Sequence, residues 1–310
     1  MCEHKIWIDT DTGIDDAIAL LTAVKLAELE VVGVSAVCGN VELEKTFRNA
    51  RNVLSLARRE DIPVYRGAEK PLLKELRPAA YFHGNNGLGG AEIPESNAPI
   101  ETKSAYDAMY EKAVELNGEM ELVAVGPLTN VATAIASHPD IVKYLKQILI
   151  MGGAVVGGNI TPCAEFNIYT DPQAAEAVFK SGVPIVMCGL DVTTKACLSY
   201  TDIDEIAAYN NPAAKLLDES TANVREYNIR DGHRSIHLHD SCPIFYLAYP
   251  EYFSAYHCGV YVETQGTITM GKTVCDLYTD HKFEDRHVTV VMDLDNDAVV
   301  RTMKDIYQLY

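Results

Sequence analysis

The chain has 310 residues, 48% of them hydrophobic and 23% charged, enough to bury a substantial core in one large domain or two smaller ones. Its 26 basic and 44 acidic side chains leave a formal charge of −18, which repels nucleic-acid phosphates and anionic lipid surfaces and favours small neutral or cationic ligands. No window approaches the ~18 uninterrupted apolar residues of a membrane span, and the N-terminal "MCEHKIWIDTD" turns acidic where an export signal stays apolar, so no membrane partner and a cytoplasmic location are expected.

Short apolar runs alternate with helical patterns along most of the chain. "KIWI" precedes "DDAIALLTAVKLAEL", "VVGVSAV" precedes "LEKTFRNARNVLSLARRE", and "IPVY" leads through a Gly-rich loop into "KSAYDAMYEKAVEL". "ELVAVG" then feeds "LTNVATAIASH", "QILIMGG" feeds "PQAAEAVFKSG", and "PIVMCGL" runs into an acidic segment. Val- and Ile-rich runs without polar alternation suit strands buried on both faces. Near the C-terminus "GVYVETQGTITMGKTVCDLY" alternates over turn residues as an antiparallel hairpin, and "HVTVVMDL" with "DNDAVVRTMKDIYQL" adds a last strand and helix. No Pro/Ser linker divides the chain. The expectation is one α/β domain over residues 1–310, a mostly parallel open sheet with helices on both faces plus a small antiparallel hairpin. The eight cysteines are scattered without a CxxC pair, and Cys38, Cys188 and Cys275 lie inside apolar runs, so all are read as reduced.

In open parallel sheets ligands bind beyond the carboxyl ends of the strands. Leaving the strands at that end are Asp9 and Asp11, Asn40, Gly126 to Asn130, Met151 to Asn159, and Asp191. The first exit, "DTDTGIDDA", carries four carboxylates between Asp9 and Asp16. A helix N-terminus explains one or two acids through its orphan amides and dipole. Four in one turn repel one another unless a cation sits among them, and oxygen-only donors select a hard ion, Ca²⁺ or Mg²⁺. The turn is not an EF-hand, which needs Gly and Glu where Ile14 and Leu20 stand. A Mg²⁺-dependent aspartyl phosphohydrolase of the haloacid dehalogenase type would use Asp9 and Asp11 as nucleophile and acid. It leaves Asp15 and Asp16 idle and has only Lys195 and "DLDND" to complete it.

The order "DTDTGIDDA", "GPLTNVA" (126–132), "MGGAVVGGN" (151–159), "AEFNIYTDP" (164–172) and "LHDSCP" (238–243) resembles the nucleoside hydrolases, the inosine-uridine preferring family of N-ribohydrolases. The resemblance runs from residue 9 to about residue 250, and the hairpin fits the family's C-terminal part. It implies a Rossmann-like nucleoside hydrolase fold, hydrolysis of ribonucleosides to base and ribose in nucleoside salvage, and one bound Ca²⁺. Its pattern transfers the metal ligands to the carboxylates of Asp11, Asp16 and Asp240 and the backbone carbonyl of Thr129, with Asp9 behind them as an orienting acceptor. In family terms the ion holds the attacking water and the ribose hydroxyls. Asp11 is then the general base, Asp15 grips the 2′-hydroxyl, and Asn40, Asn159, Glu165, Asn167 and the backbone of Met151 complete the sugar site. His239, directly before Asp240, resembles the acid that protonates the departing base, and His83 resembles a histidine near it. The family usually reads DxDPG where this chain has Thr12-Gly13, and commonly has Pro next after the metal ligand where this chain has Ser241-Cys242-Pro243. Relatives assemble as dimers or tetramers, so a homo-oligomer is expected.

The loop "HGNNGLGG" (83–90) lacks the Lys-Ser/Thr of a P-loop and reads as a lid over the sugar. Tyr227 and Arg230 in "REYNIRDGHRSIHLHD" are candidates to meet the base. The single Trp, Trp7, lies in the first strand, which excludes the tryptophan sandwich of some purine-specific relatives and leaves Tyr81, Phe82 or Tyr227 for stacking. The His239 arrangement resembles that of members accepting pyrimidine or mixed nucleosides, and the resemblance leans that way. Besides the phosphohydrolase, a Ca²⁺-dependent ribose- or nucleoside-binding protein without turnover is the other reading.

Overall fold

The computed structural model describes residues 3–230, 234–278 and 280–310, apart from the side chains of Tyr227, Ile229 and Arg230. Twelve strands are present among them: β1 His4–Thr10, β2 Leu29–Ala36, β3 Val64–Arg66, β4 Met120–Ala124, β5 Leu145–Met151, β6 Ile185–Cys188, β7 Cys197–Ser199, β8 Ser235–His237, β9 Phe253–Cys258, β10 Val260–Val262, β11 Thr273–Cys275 and β12 Val288–Leu294. The α-helices are α1 Ile14–Ala23, α2 Leu43–Leu56, α3 Ala80–His83, α4 Ala105–Leu116, α5 Thr129–Ser137, α6 Phe166–Thr170, α7 Pro172–Phe179, α8 Leu190–Thr193, α9 Tyr200–Ala207, α10 Pro212–Arg230, α11 Ser241–Ala248 and α12 Asn296–Tyr307.

Eight strands form one sheet in the order β3-β2-β1-β4-β5-β6-β12-β9. Every pairing in it is parallel except that of β9 with β12. The expected hairpin is there as β10 with β11, Val260 opposite Cys275, and a second antiparallel pair joins β7 to β8. The first strand shows why helices cover both faces. Its side chains alternate, so Ile6 and Ile8 pack with α1, α2 and α11 on one face while Trp7 packs with α4, α5 and α7 on the other. Trp7 is buried, its indole N–H donates to Ser35 Oγ at 2.9 Å, and its ring stacks on Tyr65.

Chain order reverses between β1 and β4: β2 and β3 lie on one side of β1, and β4, β5 and β6 on the other. Loops on either side of such a switch diverge and leave a crevice at the carboxyl ends, where β1 delivers the acidic turn. Gly13 caps α1, and the Asp16 carboxylate accepts the Gly13 N–H at 2.9 Å. The helix-start reading of the acids is thus half of the account of Asp16. The α10–β8 region, hardly patterned in the sequence, contributes a 19-residue helix that closes over the same end of the sheet.

Candidate functional site

A cavity of about 350 Å³ opens at the switch point, within the size range of small-molecule sites. Its floor comes from strand exits and α1: Asp11, Asp15, Asn40, Val125 and Met151. Asn159, Glu165 and Asn167 form one wall, His83, Tyr81 and Phe82 another, and His239 and Asp240 a third. Thr221, Val224 and Asn228 of α10, with Ile236 and His237 of β8, close the remaining side.

Asp11 is locked between backbones with no room to spare. A Cβ on Gly39 would lie 2.0 Å from its Oδ2, and one on Gly126 would lie 2.8 Å from its Oδ1. Oδ2 accepts the Asn40 N–H at 2.7 Å, whereas the buried Oδ1 has no hydrogen-bond partner among the described residues. Asp16 accepts Thr10 Oγ1 at 2.6 Å and Asn40 Nδ2 at 3.0 Å. Donor oxygens of Asp15, Asp16 and Asp240 lie within 4.8 Å of one another. Burial, before the mutual repulsion of the carboxylates, pushes Asp11 and Asp240 well above the ordinary range; burial also lifts Asp15 and Asp16 to about 6. Two like charges at that spacing repel by on the order of 3 kcal/mol at an effective dielectric near 20. Three converging carboxylates, with the charge of Asp11 acting on them and one of its buried oxygens unpaired, fit a hard cation, since an unpaired buried oxygen and uncompensated like charges are each costly.

Thr129 does not join this group. It starts α5, where its carbonyl accepts the Thr133 hydroxyl at 2.7 Å and its own hydroxyl donates to Asp171 at 2.7 Å. The backbone position on the cavity is Val125, at the end of β4, whose carbonyl accepts Asn167 Nδ2 at 2.8 Å. The motif "GPLTN" marks the right strand exit, but the chain turns into the helix before Thr129.

Asp9 lies behind the cavity. Its Oδ1 accepts Asn130 Nδ2 at 2.7 Å and the Ser35 hydroxyl, and its backbone carbonyl accepts the Val125 N–H at 2.8 Å. Burial outweighs these bonds and raises its carboxyl to about 7. Glu165 reaches the cavity, yet its oxygens also accept the N–H groups of Gly153, Asn167 and Ile168 at 2.8 to 3.1 Å, capping α6. Asn167 Nδ2 also donates to the Met151 carbonyl at 3.1 Å, and Asn159 Oδ1 accepts the Phe166 N–H at 2.9 Å. Asp191, grouped with the strand exits, is outside the cavity lining and holds the N–H groups of Val155 and Val156.

His83 is buried, and its Nδ1 accepts the Ile14 N–H at 3.1 Å at the start of α1. Gly13 is required here for space: its Cβ would stand 2.4 Å from that nitrogen. His239 Nδ1 lies 2.8 Å from Thr193 Oγ1. Burial lowers both rings, His83 to about 3 and His239 to about 4. The 83–90 loop is fastened at several points: Asn49 Nδ2 donates to the Asn86 carbonyl and Asn223 Nδ2 of α10 to that of Gly89, both at 2.9 Å. The Tyr227 and Arg230 side chains lie outside the described residues. Lys195, which the phosphohydrolase reading needs, is at the surface, donating to Asp293 at 3.0 Å and to the Met292 carbonyl.

With this geometry in place, comparison with known proteins is decisive. The model of the inosine-uridine preferring nucleoside hydrolases matches residues 6–301. The chain belongs to this nucleoside hydrolase family. It is 43% identical to the pyrimidine-specific ribonucleoside hydrolase RihA of Salmonella agona over 309 residues, covering 98% of both chains, and equally to that of Salmonella typhimurium. Among solved structures, the plant nucleoside hydrolase PpNRh1 superposes with a TM-score of 0.93 at 32% identity, covering 99% of this chain and all of that one. A purine-preferring ribonucleoside hydrolase from Gardnerella vaginalis gives 0.91 at 29% identity, covering 99% and 100%. This nucleoside hydrolase is therefore an enzyme acting on N-glycosidic bonds of ribonucleosides, which sets aside the phosphohydrolase and the non-catalytic binding protein. Among the described residues, no helix is long and apolar enough to cross a membrane.

Proposed function

We propose that this enzyme releases pyrimidine bases from ribonucleosides, with a Ca²⁺ ion held by Asp11, Asp16, Asp240 and the carbonyl of Val125. The observation that carries the reading is the convergence of Asp15, Asp16 and Asp240 oxygens within 4.8 Å of one another, with the buried Asp11, whose Oδ1 has no hydrogen-bond partner among the described residues, near enough to feel their charge. All the donors are oxygen, which suits a hard ion and argues against zinc at the His237/His239 pair. When bound, the ion supplies Lewis acidity: it makes an attacking water easier to deprotonate and anchors sugar hydroxyls.

The residues do the rest. The bond from the anomeric carbon to the base nitrogen breaks, and its electron pair leaves with the base. The water oxygen joins that carbon, Asp11 takes the water's proton, and His239 gives a proton to the departing base. The sugar passes through a cation-like state, which the surrounding carboxylates favour. Asp15 and Asn40 face the sugar hydroxyls, with Asn159, Glu165, Asn167 and Met151 holding the remainder of the ribose. Asp9 keeps the β1 and β4 ends in register behind them. The 43% identity to pyrimidine-specific relatives supports the base preference, as do the exposed Tyr81 and Phe82 at the cavity and the core position of the single tryptophan. A cytoplasmic place in nucleoside salvage, as a homo-dimer or tetramer, accompanies the reading; exposed Tyr256, Tyr261 and Val274 offer apolar surface for assembly, which a sizing column tests.

The test incubates purified protein with uridine, cytidine, inosine and adenosine, with and without chelator, and measures freed ribose. Uridine and cytidine should lead, and chelation should stop release until calcium is restored. Unchanged rates in chelator would remove the ion, and a lead for inosine would reverse the base preference.

A further inference from the structure

Thr193 is fully buried at the end of α8, the short helix after β6. Its N–H is bonded to the Gly189 carbonyl at 3.0 Å, and its hydroxyl lies 2.8 Å from His239 Nδ1. The main chain around His239 is pinned on both sides: the Leu238 N–H donates to the Ala196 carbonyl at 2.8 Å, and the His239 carbonyl accepts the Cys242 N–H at 3.2 Å. What those bonds leave open is rotation of the ring, which packs against His237 with centroids 5.3 Å apart and is held at Nδ1 by the Thr193 hydroxyl. The platform under Thr193 is rigid as well. The Leu190 N–H donates to the Gly153 carbonyl at 2.9 Å, and Asp191 holds Val155 and Val156. Thr193 is thus fastened to the same loop that carries Asn159 on the cavity wall.

We propose that Thr193 is a positioning residue for His239: its hydroxyl holds Nδ1 and turns Nε2 toward the departing base. The proposal rests on the reading of His239 as proton donor. A hydroxyl both donates and accepts, so it holds the ring whether or not Nδ1 carries a hydrogen. When the charged ring gives its Nε2 proton to the base nitrogen, Nδ1 keeps its own hydrogen and goes on donating it to the Thr193 oxygen, so the ring stays in place and donor and base remain within the short range that proton transfer requires. Neither a methyl group nor a backbone N–H in that place would do this.

The experiment compares wild type, Thr193→Val, Thr193→Ser and His239→Ala on two substrates, uridine and 4-nitrophenyl riboside, whose phenolate leaves without being protonated. Thr193→Val should lower kcat on uridine about tenfold or more with little change in KM, and leave the nitrophenyl substrate within about threefold, a part of what direct loss of a general acid costs. Thr193→Ser should restore uridine turnover. Equal losses on the two substrates, no loss on either, or no recovery in the serine variant overturns the proposal. His239→Ala separates the layers: if it too costs both substrates equally, the proton-donor reading itself has failed, whereas discrimination by His239→Ala without it in Thr193→Val removes Thr193 alone. Should Thr193→Val not fold, Thr193→Ala on the same pair of substrates replaces it, with the same selective loss on uridine expected and equal losses again overturning the proposal.

Discussion

His83 and His239 reach the same cavity from different elements, both with rings whose ordinary basicity burial has suppressed. What lies behind each ring differs. Nδ1 of His83 accepts a backbone N–H, a group that can only donate, so the ring is fixed as the tautomer with its hydrogen on Nε2, and a hydrogen on Nδ1 would break the cap of α1. Nδ1 of His239 meets a hydroxyl, which tolerates either state. On the proposed reading, identical residue types at one site are thereby divided, one into part of the scaffold that offers a fixed N–H and the other into the proton donor. What differs between the two rings is the partner on the far side, a backbone N–H in one case and a hydroxyl in the other.

The strongest way to break this division is to ask which losses depend on the leaving group. Asp11→Ala should abolish turnover, by about 10³-fold or more, on uridine and 4-nitrophenyl riboside alike, because deprotonation of water is common to both; near-wild-type kcat would remove Asp11 as the base. His239→Ala should cost about 10² to 10³ in kcat on uridine and under about tenfold on the nitrophenyl substrate. Should His83→Ala show that same split instead, the two histidines have been assigned the wrong way round.

The acidic floor sharpens the contrast through stability. Asp15 and Asp16, raised to about 6 by burial first, bind protons in the folded state that the unfolded chain has already released. Their contribution is present below about pH 4 and lost as pH rises through 6, so the ion-free protein should lose stability across that interval. On the proposed reading calcium competes with those protons. At a hundred times its dissociation constant it should raise Tm by about 4 °C at pH 7.5, and by clearly less at pH 5; an equal rise at both, by scanning calorimetry, would contradict a carboxylate site. A smaller effect is expected from His83→Ala, about 2 °C in Tm from the loss of a helix-start acceptor. Gly13→Ala, which drives a methyl into His83, should destabilise more than the double variant Gly13→Ala/His83→Ala in the same melts. Additive losses would mean that the contact is not what restricts position 13.

Much of the site could be read from local pattern. Asp11 and Asp15 fall in one turn after one strand, with Asp16 converging on Asp15 behind them, and Asn159, Glu165 and Asn167 follow another strand, so short-range chain geometry carries these groups to the cavity. Thr129 shows where such reading stops. Which carbonyl meets the cavity depends on where the chain leaves β4 and enters α5, and element boundaries are weakly encoded. Thr193, Thr221 and Asn228 carried no signal at all: each is an ordinary polar residue on a helix, brought to the site only by what faces it.

The sequence by itself determined the alternation of strand and helix, the burial of Trp7 and the crowding of negative charge after the first strand, because apolar periodicity and charge density are properties of neighbours along the chain. The tertiary structure alone decided that β1 and β4 flank the crevice, that Val125 replaces Thr129 on its floor, and that a backbone amide backs one histidine and a hydroxyl the other. Those last two are pairings between segments 46 to 69 residues apart. Their energies come from geometry that packing fixes, and no local pattern records it.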